Sequence, residues 1–275
     1  MGEPLALRDA GVVVTGAASG IGLALAHRFA AEGARLVLCD RDAVALDAAA
    51  RGLDGQVLTV VADLGGAGAN HDLVARAVDH LGAVDLFCAN AGIATGGGVE
   101  GRYAADAAAW QLMWEVNVMS HVWASQALLP AWLERGRGHF LATSSAAGLL
   151  TMLGSAPYAV SKHAVLAFAE WLRATYQHRG IVVQALCPQG VRTPLLQGTG
   201  ALGRALLEPG AIEVEQVAEC VVEALQDGRF LVLPHPEVAD YTQAKAADPD
   251  AWLTGMNRIQ RKIESGARSG ARSGG

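Results

Sequence analysis

Features that mark membrane, secreted and nucleic-acid-binding proteins are absent from this sequence of 275 residues. No apolar run approaches the ~18 residues that a membrane-spanning helix needs, and the N-terminal MGEPLALRDAG lacks the charged-then-apolar pattern of a secretion signal. The net charge is −6 and no basic block stands out, which disfavours a nucleic-acid partner. We therefore expect a cytoplasmic protein that binds neither membranes nor nucleic acid.

Cysteine is scarce and has no pattern that would build a disulfide framework or a metal site. The sequence contains no CxxC pair, and three of its four cysteines lie within apolar runs. We interpret them as buried thiols in a reducing compartment, and we expect no bound metal. Charged residues make up only 17% of the chain and hydrophobic residues 52%, which is enough apolar material for one large core.

Short β-branched runs alternate with helical patterns along most of the chain. This alternation predicts an α/β fold, in which a Rossmann-like, doubly wound parallel sheet of about seven strands carries helices on both faces. The predicted strands cover residues 12–15, 35–40, 56–61, 84–88, 139–143, 180–186 and 229–233. Later helical patterns cover residues 43–53, 70–81, 104–135, 157–178, 214–227 and a last amphipathic segment that starts at Asp248.

A glycine-rich loop lies between the first predicted strand and the helical pattern that follows it. The segment TGAASGIG at residues 15–22 has the spacing TGxxxGxG. Glycines let a backbone approach a phosphate, and the free N–H groups at a helix N-terminus bind anions. Such loops are often only turns, but the placement between a strand and a helix favours a dinucleotide site.

An acidic residue ends the second predicted strand. Asp40 falls 18 residues after Gly22, where a carboxylate accepts hydrogen bonds from an adenosine ribose and repels a 2′-phosphate. NAD is therefore favoured over NADP. Two alternatives remain open: Asp40 could cap the next helix, as Asp42 could also do, and Arg41 could bind the phosphate of NADP.

A tyrosine and a lysine lie four residues apart near the middle of the chain. In a helix Tyr158 and Lys162 share one face, and the apolar positions that follow them have helical spacing. A nearby ammonium favours the phenolate, so the phenol could exchange a proton with an alcohol or carbonyl near neutral pH. The alternative is a lysine whose stem packs beside a half-buried tyrosine.

Polar side chains also follow other predicted strands. Asp63 and Asn90 come after the third and fourth strands, and Ser145 comes after the fifth. Serines at a strand end are commonly turn or cap residues, and Asn117 taken alone is interpreted as a buried amide bonded to nearby backbone. Because ligands bind beyond the carboxyl ends of parallel strands, the glycine loop, Asp40, Asp63 and Asn90 are expected at one ligand-binding edge.

Residues 194–212 resemble neither a core element nor a plain linker. The segment is apolar, but several glycines and a proline interrupt it. We interpret it as a mobile lid over an apolar substrate. Residues 1–264 are expected to form a single dinucleotide-binding and catalytic domain, and the SGAR repeat at 265–275 is expected to be a flexible tail.

In these motifs the sequence resembles the short-chain dehydrogenase/reductase family, in its single-domain branch. The loop at 15–22 is similar to the family's cofactor loop, and NAG at 90–92 is similar to its motif after the fourth strand. The resemblance extends over roughly residues 8–235. The positions of the family's catalytic tetrad are occupied by Asn117, Ser145, Tyr158 and Lys162.

The resemblance implies a role for each member of the tetrad. Tyr158 would be the general acid or base, and Lys162 would lower the pKa of the phenol and bind the nicotinamide ribose. Ser145 would hold the substrate oxygen, and Asn117 would support a water that leads to Lys162. Hydride transfer needs a cofactor face, an acid or base and an oxygen clamp, and these residues supply them.

The resemblance also implies the sets of residues that bind cofactor and substrate. Asp63 would bind the adenine, Asn90 the adenosine-side ribose region, and Thr193 the carboxamide end. The full cofactor set is Gly16, Ser19, Gly20, Ile21, Gly22, Asp40, Arg41, Asp63, Leu64, Asn90, Ala91, Gly92, Tyr158, Lys162, Pro188, Val191 and Thr193. The substrate set is Ser145, Leu150, Met152, Tyr158, Gln189 and Leu195, with Leu149 as a further pocket residue.

The sequence departs from the family pattern after the sixth strand, where the family usually has Pro-Gly. Here Gln189 follows Pro188, and the glycine comes at position 190. Either Gly190 restores the turn with altered geometry, or Gln189 reaches into the pocket near the nicotinamide and influences specificity.

The resulting hypothesis is an NAD(H)-dependent oxidoreductase that acts on a small-molecule secondary alcohol or ketone with an apolar skeleton. One alternative is an NADPH-dependent reductase of ketones or 3-oxoacyl thioesters, and the other is a non-catalytic, nucleotide-bound sensor or scaffold. The resemblance further implies a homodimer or homotetramer built through the helices near 104–135 and 157–178, with Phe168 and Trp171 as candidates for the interface.

Overall fold

The computed structural model describes residues 4–95, 105–199 and 206–272, and side chains up to residue 265. In these residues seven parallel strands form one sheet in the order β3-β2-β1-β4-β5-β6-β7. The strands are β1 Gly11–Thr15, β2 Arg35–Asp40, β3 Val57–Val61, β4 Leu86–Ala89, β5 Gly138–Thr143, β6 Ile181–Leu186 and β7 Leu231–Val232. The predicted α/β class and doubly wound parallel sheet are confirmed.

Helices connect consecutive strands, as parallel pairing requires. The helices are α1 Gly20–Ala31, α2 Ala43–Arg51, α3 Ala67–Leu81, α4 Ala107–Trp114, α5 Ser120–Arg135, α6 Ala146–Leu150, α7 Ala156–Tyr176, α8 Pro194–Gln197, α9 Val214–Asp227, α10 Glu237–Ala247 and α11 Pro249–Arg272. A π-helical segment, Glu115–Met119, joins α4 to α5 without a break.

The sheet has a hydrophobic core on each face. Along β1, Val13 packs on the side covered by α3, α5 and α7, whereas Val12 and Val14 pack on the side covered by α1 and α9. Each of these valines is completely buried, and so is Phe29 of α1. Strands buried on both faces have continuous apolar sequences, and this explains the β-branched runs by which the strands are predicted.

The strand order reverses beside β1, since β2 pairs with one edge of β1 and β4 with the other. In a doubly wound sheet this arrangement opens a crevice beyond the carboxyl ends of the two inner strands. The glycine loop follows β1 and the NAG segment follows β4, so both face this crevice. The fold therefore brings together the polar segments that the sequence predicts at one edge.

Some element bounds differ from the prediction. Helix α3 begins at Ala67 rather than near residue 70, because Asn70 is buried and its amide donates to the carbonyl oxygens of Leu64 and Gly66. Strand β7 is limited to Leu231–Val232, because only these residues pair with β6. The Gly96-Gly97-Gly98 loop and residues 200–205 of the predicted lid lie outside the described residues.

The chain from residue 265 is also helical up to Arg272, as part of α11, although the sequence predicts a flexible tail from 265. Alanine and arginine are good helix formers, which offsets the serines and glycines of the repeat. The flexibility of this segment and the single-domain boundary at 264 stay predictions. In the described residues no helix is both long and apolar enough to cross a membrane.

Candidate active site

The glycine loop packs directly against the segment that follows β4. Gly16 has a φ of +65°, and a Cβ placed there would lie 2.9 Å from the Cα atom of Ala91. A Cβ at Gly22 would lie 2.1 Å from the carbonyl oxygen of Gly16 and 2.7 Å from Nδ2 of Asn90. A side chain at either position would therefore push the loop away from the sheet.

The N-terminus of α1 has the features of an anion site. Ser19 is the N-cap residue, but its side chain makes no capping hydrogen bond, so the first N–H groups of α1 are not capped by it. Ser19, Gly20 and Ile21 line a large cavity. Free N–H groups and the positive end of the helix dipole favour a phosphate at this point, and the loop therefore fits a dinucleotide.

The carboxylate of Asp40 is fixed at the edge of the same cavity. One of its oxygens accepts from the backbone N–H of Ala18 at 3.0 Å, and the other accepts from that of Asp42 at 3.1 Å. Asp42 itself caps α2, because its side chain accepts from the N–H groups of Val44 and Ala45. The helix cap is therefore Asp42, and the alternative in which Asp40 caps α2 is wrong.

Asn90 joins the carboxyl ends of three strands. Its Nδ2 atom donates to the carbonyl oxygen of Thr15 at 3.0 Å, and its Oδ1 atom accepts from the Thr143 hydroxyl at 3.2 Å. The Thr15 hydroxyl in turn accepts from the N–H groups of Asn90 and Ala91. These bonds hold the crevice between β1, β4 and β5, so Asn90 shapes the cavity wall that it lines.

Lys162 lies on α7 and lines the same cavity. Its side chain is 3% exposed, and its Nζ atom donates to the carbonyl oxygen of Thr143 at 2.9 Å. The same Nζ atom lies 5.7 Å from the centre of the Tyr158 ring, one helical turn earlier. Burial lowers the pKa of Lys162 to about 8, because desolvation disfavours the ammonium.

The Tyr158 phenol and the Ser145 side chain both line this cavity, and Ser145 influences the pKa of the phenol. Burial raises the pKa of Tyr158, and the Ser145 hydroxyl acts in the opposite direction because it stabilises a phenolate. The net rise differs from the lowered pKa that the sequence predicts for Tyr158. The physical reason is desolvation, which outweighs the favourable contacts of this largely buried phenol.

Ser145 has further partners at the N-terminus of α6. Its hydroxyl oxygen accepts from the backbone N–H of Ala147 at 3.1 Å, and its O–H donates to the carbonyl oxygen of Pro188 at 3.4 Å. That carbonyl oxygen also accepts from the N–H of Ala146 at 2.8 Å. Ser145 is therefore the cap of α6, and its O–H is directed at the turn that follows β6.

Asn117 lies in the π-helical segment, and its amide is completely buried. Its Oδ1 atom accepts from the backbone N–H of Ile93 at 2.8 Å, and its Nδ2 atom donates to the carbonyl oxygen of Ile93 and to the Ser161 hydroxyl, each at 3.0 Å. A Cβ at Gly92 would lie 3.3 Å from Oδ1 of Asn117 and 3.4 Å from Nζ of Lys162. Asn117 therefore orders the backbone beside Lys162 from behind the cavity wall.

One cavity of about 1020 Å³ joins these features. Every predicted cofactor and substrate residue lines it except Gly22, which packs beneath the glycine loop. Asn117 does not line it either. The predicted substrate residues Leu150, Met152, Gln189 and Leu195 all line it, whereas Leu149 does not. The placement of Leu149 in the pocket is therefore wrong, because its side chain packs against the buried cluster of Ala146, Leu150 and Val238.

Part of the cavity wall is not predicted from the sequence. Tyr241 of α10 and Trp252, Met256 and Ile259 of α11 all line it. The amphipathic pattern of the last helix is visible in the sequence, but the pattern does not indicate which surface the apolar face covers. In the described residues no group of three or more histidine, cysteine, aspartate or glutamate side chains could hold a metal ion.

Comparison with known proteins agrees with this geometry. The family model described as short chain dehydrogenase matches residues 10–201. The chain is 40% identical over 235 residues to 1-deoxy-11-beta-hydroxypentalenate dehydrogenase of Streptomyces exfoliatus. The aligned region covers 84% of this chain and 85% of that protein. It is 34% identical over 226 residues to dehydrogenase/reductase SDR family member 7B of rat (Rattus norvegicus), covering 74% and 68% of the two chains.

Solved structures with the same architecture contain either form of the nicotinamide cofactor. A short chain dehydrogenase/reductase from Burkholderia phymatum in complex with NAD has a TM-score of 0.82 and 27% identity, covering 90% of this chain and 96% of that one. A short-chain dehydrogenase from Sphingobium yanoikuyae in complex with NADPH has a TM-score of 0.72 and 26% identity, covering 93% and 95%. With its family match, its relatives and a sheet whose crevice fits a nicotinamide dinucleotide, this chain belongs to the short-chain dehydrogenase/reductase family of oxidoreductases.

Proposed function

We propose that this protein is an NAD(H)-dependent dehydrogenase that interconverts a secondary alcohol and a ketone with an apolar skeleton. The observation that carries the proposal is the continuity of one cavity. The glycine loop and Asp40 lie at one end of this cavity, and Ser145 and Tyr158 lie at the other. A dinucleotide that spans the cavity would present its nicotinamide to the tyrosine and serine.

The preference for NAD is argued from Asp40. Two backbone N–H groups hold its carboxylate, so the charge cannot easily swing away from the ribose position. A fixed carboxylate accepts hydrogen bonds from ribose hydroxyls and repels a 2′-phosphate. Arg41 lines the same end of the cavity and is the basis of the alternative, an NADPH-dependent reductase of ketones or 3-oxoacyl thioesters.

The bound nicotinamide would accept or supply the hydride, and side chains of the protein would move the proton. A buried phenol keeps its proton at neutral pH, so Tyr158 is ready to protonate a carbonyl oxygen in the reducing direction. In the oxidising direction Tyr158 must first lose its proton, and the phenolate then takes the proton of the alcohol. The ammonium of Lys162 favours this phenolate, while the single Ser145 O–H donates to the substrate oxygen.

The remaining cofactor and tetrad residues have supporting roles in this proposal. Asp63 and Leu64 would border the adenine, Thr193 the carboxamide, and Asn117 would order the backbone and a water beside Lys162. Asp63 is oriented by the N–H of Gly65, which donates to Oδ1 at 3.0 Å. Thr193 caps α8, since its hydroxyl oxygen accepts from the N–H of Leu196.

The apolar substrate class is argued from the far end of the cavity. Beyond Tyr158 the wall consists mainly of aliphatic and aromatic side chains, from Leu150 and Met152 on one side to Trp252 and Ile259 on the other. Such a wall binds a rigid hydrocarbon skeleton better than a polyol. The Streptomyces relative is named as a dehydrogenase of a hydroxylated compound, which supports an alcohol as the reacting group.

A homodimer or homotetramer is part of the same proposal. Trp171 on α7 is 54% exposed and stacks on Phe168, whose ring centre lies 6.3 Å away. An exposed aromatic pair on a long helix suits a subunit contact. Light scattering of the purified protein measures the mass directly, and a monomer at micromolar concentration would contradict this part of the proposal.

The experiment that tests the catalytic proposal is a spectrophotometric assay of NADH formation at alkaline pH. The probes are 1-decalol, a bicyclic secondary alcohol, and sorbitol, a polyol of many secondary hydroxyls, each with NAD⁺ or NADP⁺. We expect turnover of 1-decalol with NAD⁺ and little with sorbitol. Turnover of sorbitol alone would contradict the apolar class, and reduction of a 3-oxoacyl thioester with NADPH alone would favour the reductase alternative. A protein that binds NAD⁺ but turns over no probe in either direction would favour the sensor or scaffold.

A further inference from the structure

A single peptide group separates the active-site serine from a buried histidine. The carbonyl oxygen of Pro188 accepts from the Ser145 O–H and from the N–H of Ala146. The N–H on the other side of that peptide group belongs to Gln189, and it donates to Nδ1 of His235 at 3.2 Å. The orientation of this peptide group therefore depends on His235 as well as on the end of β5.

The second ring nitrogen of His235 reaches another segment that borders the cavity. Its Nε2 atom lies 3.3 Å from the carbonyl oxygen of Gly210. Since Nδ1 accepts a hydrogen bond, the proton of a neutral imidazole is on Nε2, where it donates to Gly210. His235 lies between β7 and α10 and is 3% exposed, so the imidazole that makes both bonds is buried.

The chain after Leu206 is packed closely onto the turn that follows β6. A Cβ at Gly190 would lie 2.2 Å from the carbonyl oxygen of Leu207. Ile212 donates to the carbonyl oxygen of Gly190 at 3.1 Å, and Arg192 donates to that of Ile212 at 3.0 Å. Leu206 and Leu207 line the cavity, so a shift of segment 206–212 would change the substrate end of the site.

We propose that His235 is a positioning residue that orients the Pro188–Gln189 peptide group against Ser145 and fastens segment 206–212 to the same turn. The inference rests on the proposed function, because it assigns the effect of the orientation to the proton of Ser145. That proton is donated to the Pro188 carbonyl oxygen, which lies 3.4 Å from the Ser145 oxygen. When the Pro188 carbonyl oxygen is fixed, it holds the Ser145 hydroxyl in one place. From there the O–H turns to the substrate oxygen when substrate binds.

Two conservative variants separate the two bonds of His235. In His235→Asn the side-chain oxygen takes the place of Nδ1 and still accepts from Gln189, but nothing reaches Gly210. In His235→Gln the side-chain amide reaches the place of Nε2 and still donates to Gly210, but the N–H of Gln189 loses its acceptor. His235→Leu loses both bonds.

The measurements are kcat and KM for 1-decalol, the affinity for NAD⁺, and hydrogen exchange of peptides that contain Gln189 or residues 206–213. For His235→Asn we expect kcat within about twofold of wild type, with a raised KM and faster exchange at 206–213. For His235→Gln we expect faster exchange at Gln189 and a kcat that falls by up to about tenfold, with NAD⁺ affinity unchanged. His235→Leu should show both effects.

His139→Asn is the matched control, because His139 is a buried histidine at the amino end of β5, away from the turn. If the Asn and Gln variants change kcat, KM and exchange in the same way, or only as much as the control does, the inference is wrong. Hydrogen exchange tests the two bonds without turnover. A wild-type protein that oxidises no alcohol would therefore contradict the proposed function separately from the role of His235.

Discussion

The buried ammonium of Lys162 donates a hydrogen bond to the backbone carbonyl oxygen of Thr143, which lies 2.9 Å away at the end of β5. This contact ties the middle of α7 to the carboxyl edge of the sheet. Because Tyr158 lies one helical turn before Lys162, the contact also holds the ammonium 5.7 Å from the centre of the Tyr158 ring. The lysine is therefore held in place in the candidate active site. Burying its ammonium has a desolvation cost, and this cost depends on pH.

The pH dependence of stability should reveal this cost. Burial lowers the pKa of Lys162 from 10.5 to about 8. Between these values the unfolded chain binds more protons than the folded chain does, so the free energy of unfolding rises as the pH rises from 8 to 10.5. The gain from this one group is on the order of 3 kcal/mol across that range.

Lys162→Met removes the group, and urea unfolding of wild type and variant at pH 8 and pH 10 measures the difference. We expect wild type to gain stability relative to the variant at the higher pH. The control is Lys262→Met at an exposed position, which should leave the slope as in wild type. Parallel pH profiles for wild type and Lys162→Met would contradict a depressed pKa at Lys162.

Tyr158→Phe should separate catalysis from cofactor binding. The variant lacks the proton donor, so kcat should fall by about a hundredfold or more. Affinity for NAD⁺ should stay nearly unchanged, because the phenylalanine ring keeps the packing of the cavity wall. Tyr176→Phe, at the end of α7, is the matched control and should keep full activity. Comparable loss in both variants would point to damage of α7 rather than removal of a catalytic group.

Acid should destabilise the protein through His121. This histidine is completely buried beside Phe140 and Lys162, and burial lowers its pKa from 6.5 to about 3. Below pH 6.5 the unfolded chain gains a proton that the folded chain does not, so the free energy of unfolding falls by about 1.4 kcal/mol per pH unit from this group.

The slope of urea-unfolding stability between pH 6.5 and pH 4.5 checks this expectation. His121→Gln should have a smaller slope than wild type, whatever its stability at neutral pH. His27→Gln, at an exposed position, should keep the wild-type slope. The account of His121 fails if its variant and the His27 variant lose stability equally on acidification.

Gln189 should influence substrate choice more than cofactor affinity. Its side chain lines the cavity next to Pro188, while its backbone N–H is already bonded to His235. Gln189→Gly removes the side chain and keeps that N–H. We expect the ratio of kcat/KM between 1-decalol and the smaller cyclohexanol to change, with little change in NAD⁺ affinity. An equal loss with both alcohols would show that Gln189 only supports the turn.

The alternating strands and helices of this fold are predictable from sequence, because the local hydrophobic pattern matches the burial of each element. Continuous β-branched runs indicate strands with both faces covered, and TGxxxGxG between a strand and a helix predicts a phosphate site. The position of Asp40 at the end of β2 is predictable for the same reason, since a strand end is a local feature. Choosing between Asp40 and Asp42 as the cap of α2 requires the three-dimensional structure, because an aspartate is a favourable N-cap residue at either position.

The remaining features depend on contacts between distant segments. Leu149 and Leu150 are neighbours with the same hydropathy and pack in the same cluster, yet only Leu150 also lines the cavity. The wall formed by Trp252 and Met256 requires α11 to fold back over the substrate end, more than ninety residues after Tyr158. The rise in the pKa of Tyr158 follows from its burial in the folded chain, which a Tyr–Lys spacing does not reveal.

Thermal unfolding with NAD⁺ and with NADP⁺ at equal concentrations tests the central claim most directly. A ligand at 100 times its dissociation constant stabilises the folded state by about 2.7 kcal/mol, which is readily seen as a shift in Tm. We predict a large shift with NAD⁺, a small one with NADP⁺, and a smaller difference between them in Asp40→Ser. Asp42→Ser, which alters only the cap of α2, should keep the wild-type preference. A larger shift with NADP⁺ would contradict the role of Asp40, and no shift with either cofactor would contradict the proposed activity itself.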